Sequence, residues 1–417
     1  MNLFAQVLLW IAAIISMYFA VFWFLVLIEA PPKIERKRWK DWPLLSVIIP
    51  AYQEEDCIRE TMESVLKADY PKEKLQIIVI NDGSTDRTEE IAKQVASENL
   101  TYDITVISQK NAGKAAALNK GMKLAKGPFV ATMDSDSSVY PDAPKKLISY
   151  FVSDDIAAVV PAMKVREPKT FLQKLQWYEY NVNMFYKELM GRVDALHVIP
   201  GPFPVYRTDI LRKVGGFATE RNLTEDLEMT LRLQHRQYRI IQAMDALVET
   251  LAPATFKAFY AQRNRWFKGA LMNAFKYRRM TFNRSFGDFG MIQMPTLLIS
   301  GALALILILT GVYYGLKPFV TLIYHLAFVN FDIMTLLSHL SLNVSIVDLD
   351  YMSIALTASM LTMSLFVFFL AHRISRERVL KHGVITAGAF LFVYYLLLGV
   401  VWAGVAMDLL WGKRQRW

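Results

Sequence analysis

The chain has 417 residues, of which 54% are hydrophobic, and a formal net charge of +9. Its only cysteine, Cys57, excludes an internal disulfide. The apolar residues are gathered in several stretches long enough to cross a bilayer, which argues against a chain that is soluble over its whole length.

The first of these stretches, Asn2–Ala30, contains no lysine or arginine and a single acidic residue, Glu29. A signal peptide would have a basic start, a shorter apolar core and a small-residue cleavage site, and none of these is evident. We therefore predict an uncleaved transmembrane anchor over residues 1–30.

Residues 31–255 have the pattern of a cytosolic α/β domain. The apolar run Leu44–Tyr52 predicts a buried strand, and Glu54–Ala68 follows with helical spacing of its apolar residues. Apolar runs that end in "INDGS" and "VISQK", and the run "GPFVATMDSD", predict three more strands separated by helices. Such alternation favours a Rossmann-like fold with a mainly parallel sheet.

Acidic residues follow two of the predicted strands. Asp82 stands in Asn81-Asp82-Gly83-Ser84, a sequence that also suits a plain turn and helix cap. Asp134 and Asp136 are separated by one residue after a buried run, so their charges repel and favour a counter-ion. Ligands gather at the carboxyl ends of parallel strands, and Mg²⁺ or Mn²⁺ bound by one or two carboxylates usually also binds substrate phosphates. We predict a metal that carries a diphosphate.

Two helix starts carry further candidate residues. Lys114, in "NAGKAAALNKG", is placed to reach a phosphate, although the segment is not a Walker motif and Lys114 alone is equally typical of a surface. Glu225 and Asp226 open the amphipathic segment "NLTEDLEMTLRL". Acids in a first turn complement the helix dipole, and a carboxylate there can also act as a general base.

Residues 256–290 are basic and aromatic. This composition predicts amphipathic helices at the membrane interface, and Arg263 and Arg265 are also suited to bind a diphosphate. Phe171–Leu189 predicts another aromatic helix, whose rings suit a core, a membrane face or a platform for sugars.

Residues 291–417 are predicted to form the C-terminal transmembrane helices. Clear apolar stretches are Met291–Leu316, Met352–Ala371 and Val384–Leu410, whereas Phe319–Leu342 is interrupted by charged and histidine residues that disfavour a span. Basic residues beside spans stay cytoplasmic, which places the large domain inside the cell. Four spans leave the basic tail "GKRQRW" outside and five leave the loop Arg373–Lys381 outside; we prefer four.

The motif series resembles the inverting family 2 glycosyltransferases, in the membrane-bound, processive branch that includes cellulose, chitin, hyaluronan and poly-N-acetylglucosamine synthases. The resemblance covers about residues 44–276 and the flanking spans. It depends on motifs in the family's order: "VIIPAYQEE", "VINDGSTDRT", "NAGKAAALN", "MDSDS", "GPFPVYR", "TEDLEMTLRL" and "QRNRW".

The resemblance implies a GT-A-type fold and a role for each matching residue. Asp82 would contact the nucleotide base, and Asp134 and Asp136 would form the aspartate-X-aspartate motif, with Asp136 the metal ligand. Asp226 would be the catalytic base, Glu225 beside it would contact the acceptor, and Lys114 would border the donor. In the Gln-X-X-Arg-Trp motif, Gln262 and Trp266 would line the acceptor site and Arg265 would pair with the diphosphate.

The function that these roles imply is transfer of a sugar, N-acetylglucosamine or glucose, from a uridine-diphosphate donor to a growing β-linked polysaccharide. The chain has one span before the domain where several polymer synthases have two, and it lacks the gating-loop motif of cellulose synthases. A single transfer to a polyprenyl phosphate or glycolipid is therefore the alternative. Two alternatives lie outside this enzyme class: a transporter with a nucleotide sensor, and a transferase-like scaffold without activity. We expect no nucleic-acid partner.

Overall fold

The computed structural model describes residues 3–29, 35–220, 222–328, 330–332, 334 and 351–411. Its α/β part contains one sheet of eight strands. In chain order these are β1 (Leu45–Ala51), β2 (Leu75–Asn81), β3 (Asp103–Ser108), β4 (Phe129–Thr132), β5 (Ser137–Val139), β6 (Ile156–Val165), β7 (Val205–Arg207) and β8 (Arg239–Thr250).

The strand order is β3-β2-β1-β4-β7-β6-β8-β5. The pairs β1/β2, β1/β4, β2/β3 and β6/β8 are parallel, and the pairs that involve β7 or β5 are antiparallel. This arrangement confirms the prediction of an α/β domain with a mainly parallel sheet.

Helices cover both faces of this sheet, which explains why its central strands carry apolar residues on both faces and are apolar at most positions. Val47 and Ile77 point into one core cluster, and Ile48 and Ile78 into another on the opposite face. Parallel sheets buried on both faces have such continuous runs of Val, Ile and Leu.

The helices of the domain, in chain order, are α1 (Leu3–Ile28), α2 (Ile58–Leu66), α3 (Thr88–Glu98), α4 (Lys114–Leu124), α5 (Ala143–Ser149), α6 (Phe171–Arg192), α7 (Thr208–Lys213), α8 (Glu225–His235) and α9 (Phe256–Lys276). The chain continues with α10 (Met294–Phe328), α11 (Tyr351–Ile374), α12 (Val384–Ala389) and α13 (Tyr395–Leu410). The π-helical turn Phe390–Tyr394 joins α12 to α13.

Two helices among the described residues are long and apolar enough to cross a membrane, within Thr357–Ile374 and Val384–Leu410. Ala13–Ile28 and Phe289–Ile299 are shorter apolar helices. Helix α10 runs from the apolar stretch Met291–Leu316 through Pro318 into the first part of Phe319–Leu342 and ends at Phe328. Most of the rest of Phe319–Leu342, and the tail after Trp411, lie outside the described residues.

Buried polar contacts tie the apolar helices to the α/β domain. The fully buried guanidinium of Arg263 on α9 donates to Glu179 on α6, and the Tyr394 hydroxyl donates to the same carboxylate at 2.8 Å. Lys164 on β6 pairs with Glu377 at 2.8 Å, in the loop after α11. These contacts fix α6 and α9, which form one wall of the cavity described below.

Candidate active site

Polar residues collect at one edge of the sheet, where three parallel strands end. Strands β1, β2 and β4 run side by side in the same direction, so the residues that follow them lie at a common edge. Glu54 follows β1, Asp82 follows β2, and Asp134 follows β4. This edge is where ligands bind in open α/β sheets.

Asp82 is buried and holds the loop that enters α4. Its carboxylate accepts hydrogen bonds from the backbone N–H groups of Ala112 and Gly113, at 3.0 and 2.8 Å, and from the Gln109 side chain at 2.7 Å. Gly83 is required beside it, because its φ is +76° and an added Cβ would lie 2.8 Å from the backbone nitrogen of Asn111. Asp82 thereby fixes the loop that presents Lys114.

Lys114, the first residue of α4, connects the strand ends to the start of α8. Its ammonium contacts Asp134 Oδ1 at 2.6 Å and Glu225 Oε1 at 2.9 Å. Although burial opposes the charged form, these two carboxylates hold the pKa of Lys114 above its usual range. One cation therefore bridges two acidic motifs that are about ninety residues apart in the sequence.

Glu225 and Asp226 are neighbours in the first turn of α8, and their pKa values shift in opposite directions. Burial would raise the pKa of Glu225, but the Lys114 ammonium outweighs it and holds this pKa below its usual value. Burial and the negative charge of Glu225 raise the pKa of Asp226 to about 6. Asp226 is thus a carboxylate that accepts a proton near neutral pH, as a general base must.

Asp134, Asp136 and Glu54 form a second acidic group. Burial and the charge of Asp134 raise the pKa of Asp136, and burial and the charge of Asp136 raise the pKa of Glu54 to about 7. No set of three or more His, Cys, Asp and Glu side chains in the described part of the chain forms a metal cluster by itself. The pair Asp134 and Asp136 does suit an ion that takes one or two carboxylates and completes its shell with substrate phosphates.

Gly201 lets the backbone approach the Asp134 carboxylate. An added Cβ at this position would lie 2.4 Å from Asp134 Oδ2. Because the Lys114 ammonium contacts the same carboxylate at 2.6 Å, Asp134 has little room to move. The segment "GPFPVYR" therefore shapes the acidic end of the cavity.

Helix α9 supplies the opposite wall. Gln262, Arg265 and Trp266 line the cavity, as expected for the Gln-X-X-Arg-Trp motif. Arg263 lines the cavity too, but its side chain is fully buried, pairs with Glu179 and stacks 4.2 Å from the centre of the Trp266 ring. The structure therefore favours a structural role for Arg263 over the diphosphate contact that its sequence position allowed.

The cavity has a volume of about 490 Å³ and brings together eight of the nine predicted site residues. They are Lys114, Asp134, Asp136, Glu225, Asp226, Gln262, Arg265 and Trp266. Asp82 does not line this cavity and reaches it only through the loop that carries Lys114. Its contact with a nucleotide base stays a prediction.

Sequence reasoning missed several polar residues of the site. Lys187, from the aromatic helix α6, lines the cavity, and burial lowers its pKa to about 8 although Asp226 opposes this shift. His197 lines the cavity too, and burial together with the Lys187 charge lowers its pKa to about 4. No motif marks these two residues; for Glu54, its position just after a strand was the available signal.

The comparison with known families identifies the α/β domain. Residues 46–215 match the family model "Glycosyl transferase family 2". Among curated relatives, the chain is 34% identical over 227 residues to poly-beta-1,6-N-acetyl-D-glucosamine synthase of Staphylococcus aureus strain MSSA476, an alignment that covers 54% of each chain. It is 31% identical over 243 residues to the probable glycosyltransferase YdaM of Bacillus subtilis strain 168, covering 56% of this chain and 57% of that relative. The chain thus spans about half the length of these relatives.

A solved structure supports the fold over the whole length. The mannosyltransferase PcManGT from Pyrobaculum calidifontis, in complex with GDP-Man and Mn²⁺, is similar with a TM-score of 0.61. The match covers 98% of this chain and 99% of that one at 19% sequence identity. At this identity the likeness shows the fold alone.

Proposed function

We propose that this chain, a glycosyltransferase by its family 2 domain, transfers a sugar from a uridine-diphosphate donor to an acceptor hydroxyl with inversion at the anomeric carbon. The observation that carries this proposal is Asp226. It lines the same cavity as the acidic pair Asp134 and Asp136, and its pKa of about 6 makes it a base near neutral pH.

In the proposed reaction the acceptor oxygen attacks the anomeric carbon and the bond from that carbon to the diphosphate oxygen breaks. Asp226 takes the acceptor proton, and the diphosphate leaves with the electron pair. Arg265 would bind the leaving diphosphate, because guanidinium forms bidentate hydrogen bonds with phosphate oxygens. With one displacement and no covalent enzyme intermediate, an α-linked donor gives a β-linked product.

A divalent cation fits this site. Asp134 and Asp136 would hold Mg²⁺ or Mn²⁺, with Asp136 the main ligand, and the bound ion would neutralise charge on the diphosphate. Burial and the charge of Asp134 raise the pKa of Asp136 although the Lys114 ammonium opposes this shift, so a bound divalent cation would stabilise the ionised form of this carboxylate.

The choice of donor depends on a relative of the chain, and the choice of acceptor depends on the walls of the two cavities. N-acetylglucosamine is the preferred sugar and glucose the second, because the 34% identical relative is named as a poly-N-acetyl-glucosamine synthase. The preferred product is a growing β-linked polysaccharide, for which Gln262 and Trp266 on the cavity wall would contact the acceptor. A single transfer to a lipid is the second candidate, and an apolar cavity that adjoins the catalytic one favours it.

We further propose that the protein is a multi-pass protein of the cell membrane with its catalytic domain in the cytoplasm. Two helices that are long and apolar enough to span a bilayer support this location. The basic residues beside the apolar stretches support the orientation.

A donor screen tests the proposed function. The purified full chain is incubated with radiolabelled UDP-N-acetylglucosamine, UDP-glucose and GDP-mannose, each with Mn²⁺ and with Mg²⁺. We expect label from UDP-N-acetylglucosamine in a β-linked product, and a ladder or polymer on gel filtration if addition repeats. Incorporation from GDP-mannose alone would contradict the proposed donor, and a single added sugar would favour the lipid acceptor.

A further inference from the structure

A second cavity, of about 610 Å³, lies among the apolar helices. Its walls come from α1, α6, α10 and α11 and from the segment that joins α12 to α13. They include Trp23, Phe24, Phe185, Val367 and Leu370, and none of the described lining side chains carries a charge. Such a cavity suits hydrocarbon better than sugar, because sugar hydroxyls would lose their hydrogen bonds to water without replacement.

The two cavities adjoin each other along helix α6. Tyr186 and Met190 line both, four residues apart on one face of this helix. Helix α10 contributes consecutive residues, Thr296 to the apolar cavity and Leu297 to the catalytic cavity. A long molecule with one polar and one apolar end can therefore lie across this shared wall.

A cation stands on the catalytic side of the shared wall. Lys187 follows Tyr186 in the chain and lines the catalytic cavity together with Asp226 and His197. Among the described residues, no carboxylate forms an ion pair with Lys187. Nδ1 of His197 is buried and has no hydrogen-bond partner within the described part of the chain. This part of the cavity thus offers positive charge and an unused polar atom.

We propose that the acceptor is a lipid-linked sugar that joins its sugar to its lipid through an anionic phosphate linkage. The sugar hydroxyl would face Asp226, the phosphate would contact Lys187 and His197, and the hydrocarbon chain would enter the apolar cavity past Tyr186 and Met190. This inference rests on the proposed function and names the acceptor class of that site. It applies to the first sugar added, whether or not addition repeats.

The order of the polar and apolar side chains along the shared wall supports this choice of acceptor. A free lipid phosphate would place an already ionised oxygen at the reacting carbon and leave the Asp226 base without a proton to take. A sugar hydroxyl needs that base, since its proton must leave as the new bond forms. The transfer then balances as described above, with the proton on Asp226 and the diphosphate of the nucleotide released.

Three matched acceptors test the proposal with the purified full chain and radiolabelled UDP-N-acetylglucosamine. They are N-acetylglucosamine linked through diphosphate to a polyisoprenyl chain, the same sugar diphosphate without the chain, and dodecyl N-acetylglucosaminide without the phosphate. We expect a KM for the complete lipid at least about tenfold below either partial acceptor, which corresponds to about 1.4 kcal/mol for each missing group. Equal KM values for all three acceptors would overturn the proposal.

Two variants separate the contributions of chain and charge. Ser364→Trp adds a large ring at a residue that lines the apolar cavity, and the control Ser359→Trp adds the same ring to the same helix at a residue that does not line it. Only Ser364→Trp should remove the advantage of the polyisoprenyl chain. Lys187→Met should reduce the tenfold preference for the phosphate-bearing lipid over the dodecyl glycoside to about one. An unchanged preference in Ser364→Trp would contradict binding of the chain in the apolar cavity. An unchanged preference in Lys187→Met would contradict the contact of Lys187 with the phosphate.

Photolabelling measures binding without turnover. A photoreactive long-chain analogue of the sugar diphosphate lipid should label peptides of α1, α6 and α11, and the unlabelled lipid should displace it. Phosphatidylglycerol, an anionic lipid of the bilayer, should not. Equal displacement by phosphatidylglycerol would show nonspecific lipid filling and overturn the inference. Specific labelling without any sugar transfer would instead support the lipid site and contradict the proposed reaction.

Discussion

Asp226 and Glu225 are adjacent carboxylates whose pKa values differ because the Lys114 ammonium contacts Glu225 directly. Lys114 contacts Glu225 at 2.9 Å and keeps it ionised, and the charge of Glu225 then raises the pKa of its buried neighbour. Two acids with separated pKa values are the usual arrangement when one serves as a proton acceptor.

Replacing Asp226 with Asn should abolish transfer and preserve donor binding. The amide cannot take the acceptor proton, so kcat should fall about 10²–10⁴-fold, the range that general base catalysis supplies. Initial rates with radiolabelled donor measure the loss, and calorimetric titration with UDP measures binding. Normal turnover in Asp226→Asn would show that another group removes the proton.

Replacing Glu225 with Gln should shift the pH profile. The base form of Asp226 predominates above its pKa of about 6, so wild-type kcat/KM should fall as the pH drops below that value. Gln removes the negative charge that raises the pKa of Asp226, and it leaves the positive charge of Lys114 less neutralised. Both changes lower the pKa of Asp226 and therefore move the acidic limb of the profile to lower pH. A limb that stays near pH 6, or moves upward, would show that Glu225 does not control Asp226.

The site residues could be predicted from sequence where strand or helix ends mark them. Asp134, Asp136 and Asp226 stand at such ends, and the motif series places them in order. Lys187 could not be found this way, because it lies inside an aromatic helix and only the tertiary packing of α6 brings it to the cavity. Burial lowers the pKa of Lys187, and no local sequence pattern indicates that this residue is buried.

Among the elements of the fold, the start of α4 and the loop before β7 meet at the Asp134 carboxylate, and the start of α8 joins them through the contact of Glu225 with Lys114. Lys114 contacts Asp134 directly, and the backbone at Gly201 lies close to the same carboxylate. The position of Asp134, one of the two carboxylates that we propose hold the metal, therefore depends on this loop as well as on Lys114.

Replacing Gly201 with Ala should reduce activity by displacing Asp134. The new Cβ would lie 2.4 Å from Oδ2, so the carboxylate must rotate away and loosen its contact with Lys114. We expect at least about a tenfold loss of kcat/KM, consistent with the sensitivity of catalysis to small misplacements. Gly388→Ala is the control, because an added Cβ there meets nothing within 4 Å. Equal rates in the two variants would contradict the close approach.

The elements themselves were predictable in the first half of the domain and less so in the second. Strands β1 to β4 are mainly apolar runs, and each of β1 to β3 is followed by a helix, so the local pattern agrees with the fold. Strands β5 and β7 have three residues each and pair antiparallel across long sequence separations. Runs this short carry no periodicity, and only their partners in the sheet define them.

At the scale of the whole molecule, one buried ion pair joins the catalytic domain to the apolar helices. Arg263 and Tyr394 both donate to Glu179, so α9, α6 and the C-terminal helix share one carboxylate. The wall that carries Gln262, Arg265 and Trp266 is thereby fixed to the part of the chain that we assign to the membrane.

The two contacts to Glu179 should contribute unequally to the stability of the protein. Arg263→Met leaves Glu179 without its cation and should lower the free energy of unfolding by about 3–5 kcal/mol. Tyr394→Phe removes one neutral donor and should cost about 1 kcal/mol. Lys381→Met, which removes a half-exposed partner of Glu377, is the control and should cost less than about 1 kcal/mol. Thermal unfolding in one detergent compares them, and equal losses would show that Arg263 does not carry the link.

Metal dependence tests the central claim most directly, namely that Asp134 and Asp136 hold a cation that lets the nucleotide release its sugar. Initial rates of transfer from UDP-N-acetylglucosamine are measured in EDTA and again after excess Mn²⁺ or Mg²⁺ is added, for the wild type and for Asp136→Asn. We expect the wild type to lose activity about 100-fold or more in chelator and to recover it with metal, and we expect no recovery in Asp136→Asn. A wild-type rate that stays unchanged in chelator would contradict the proposed metal at Asp134 and Asp136.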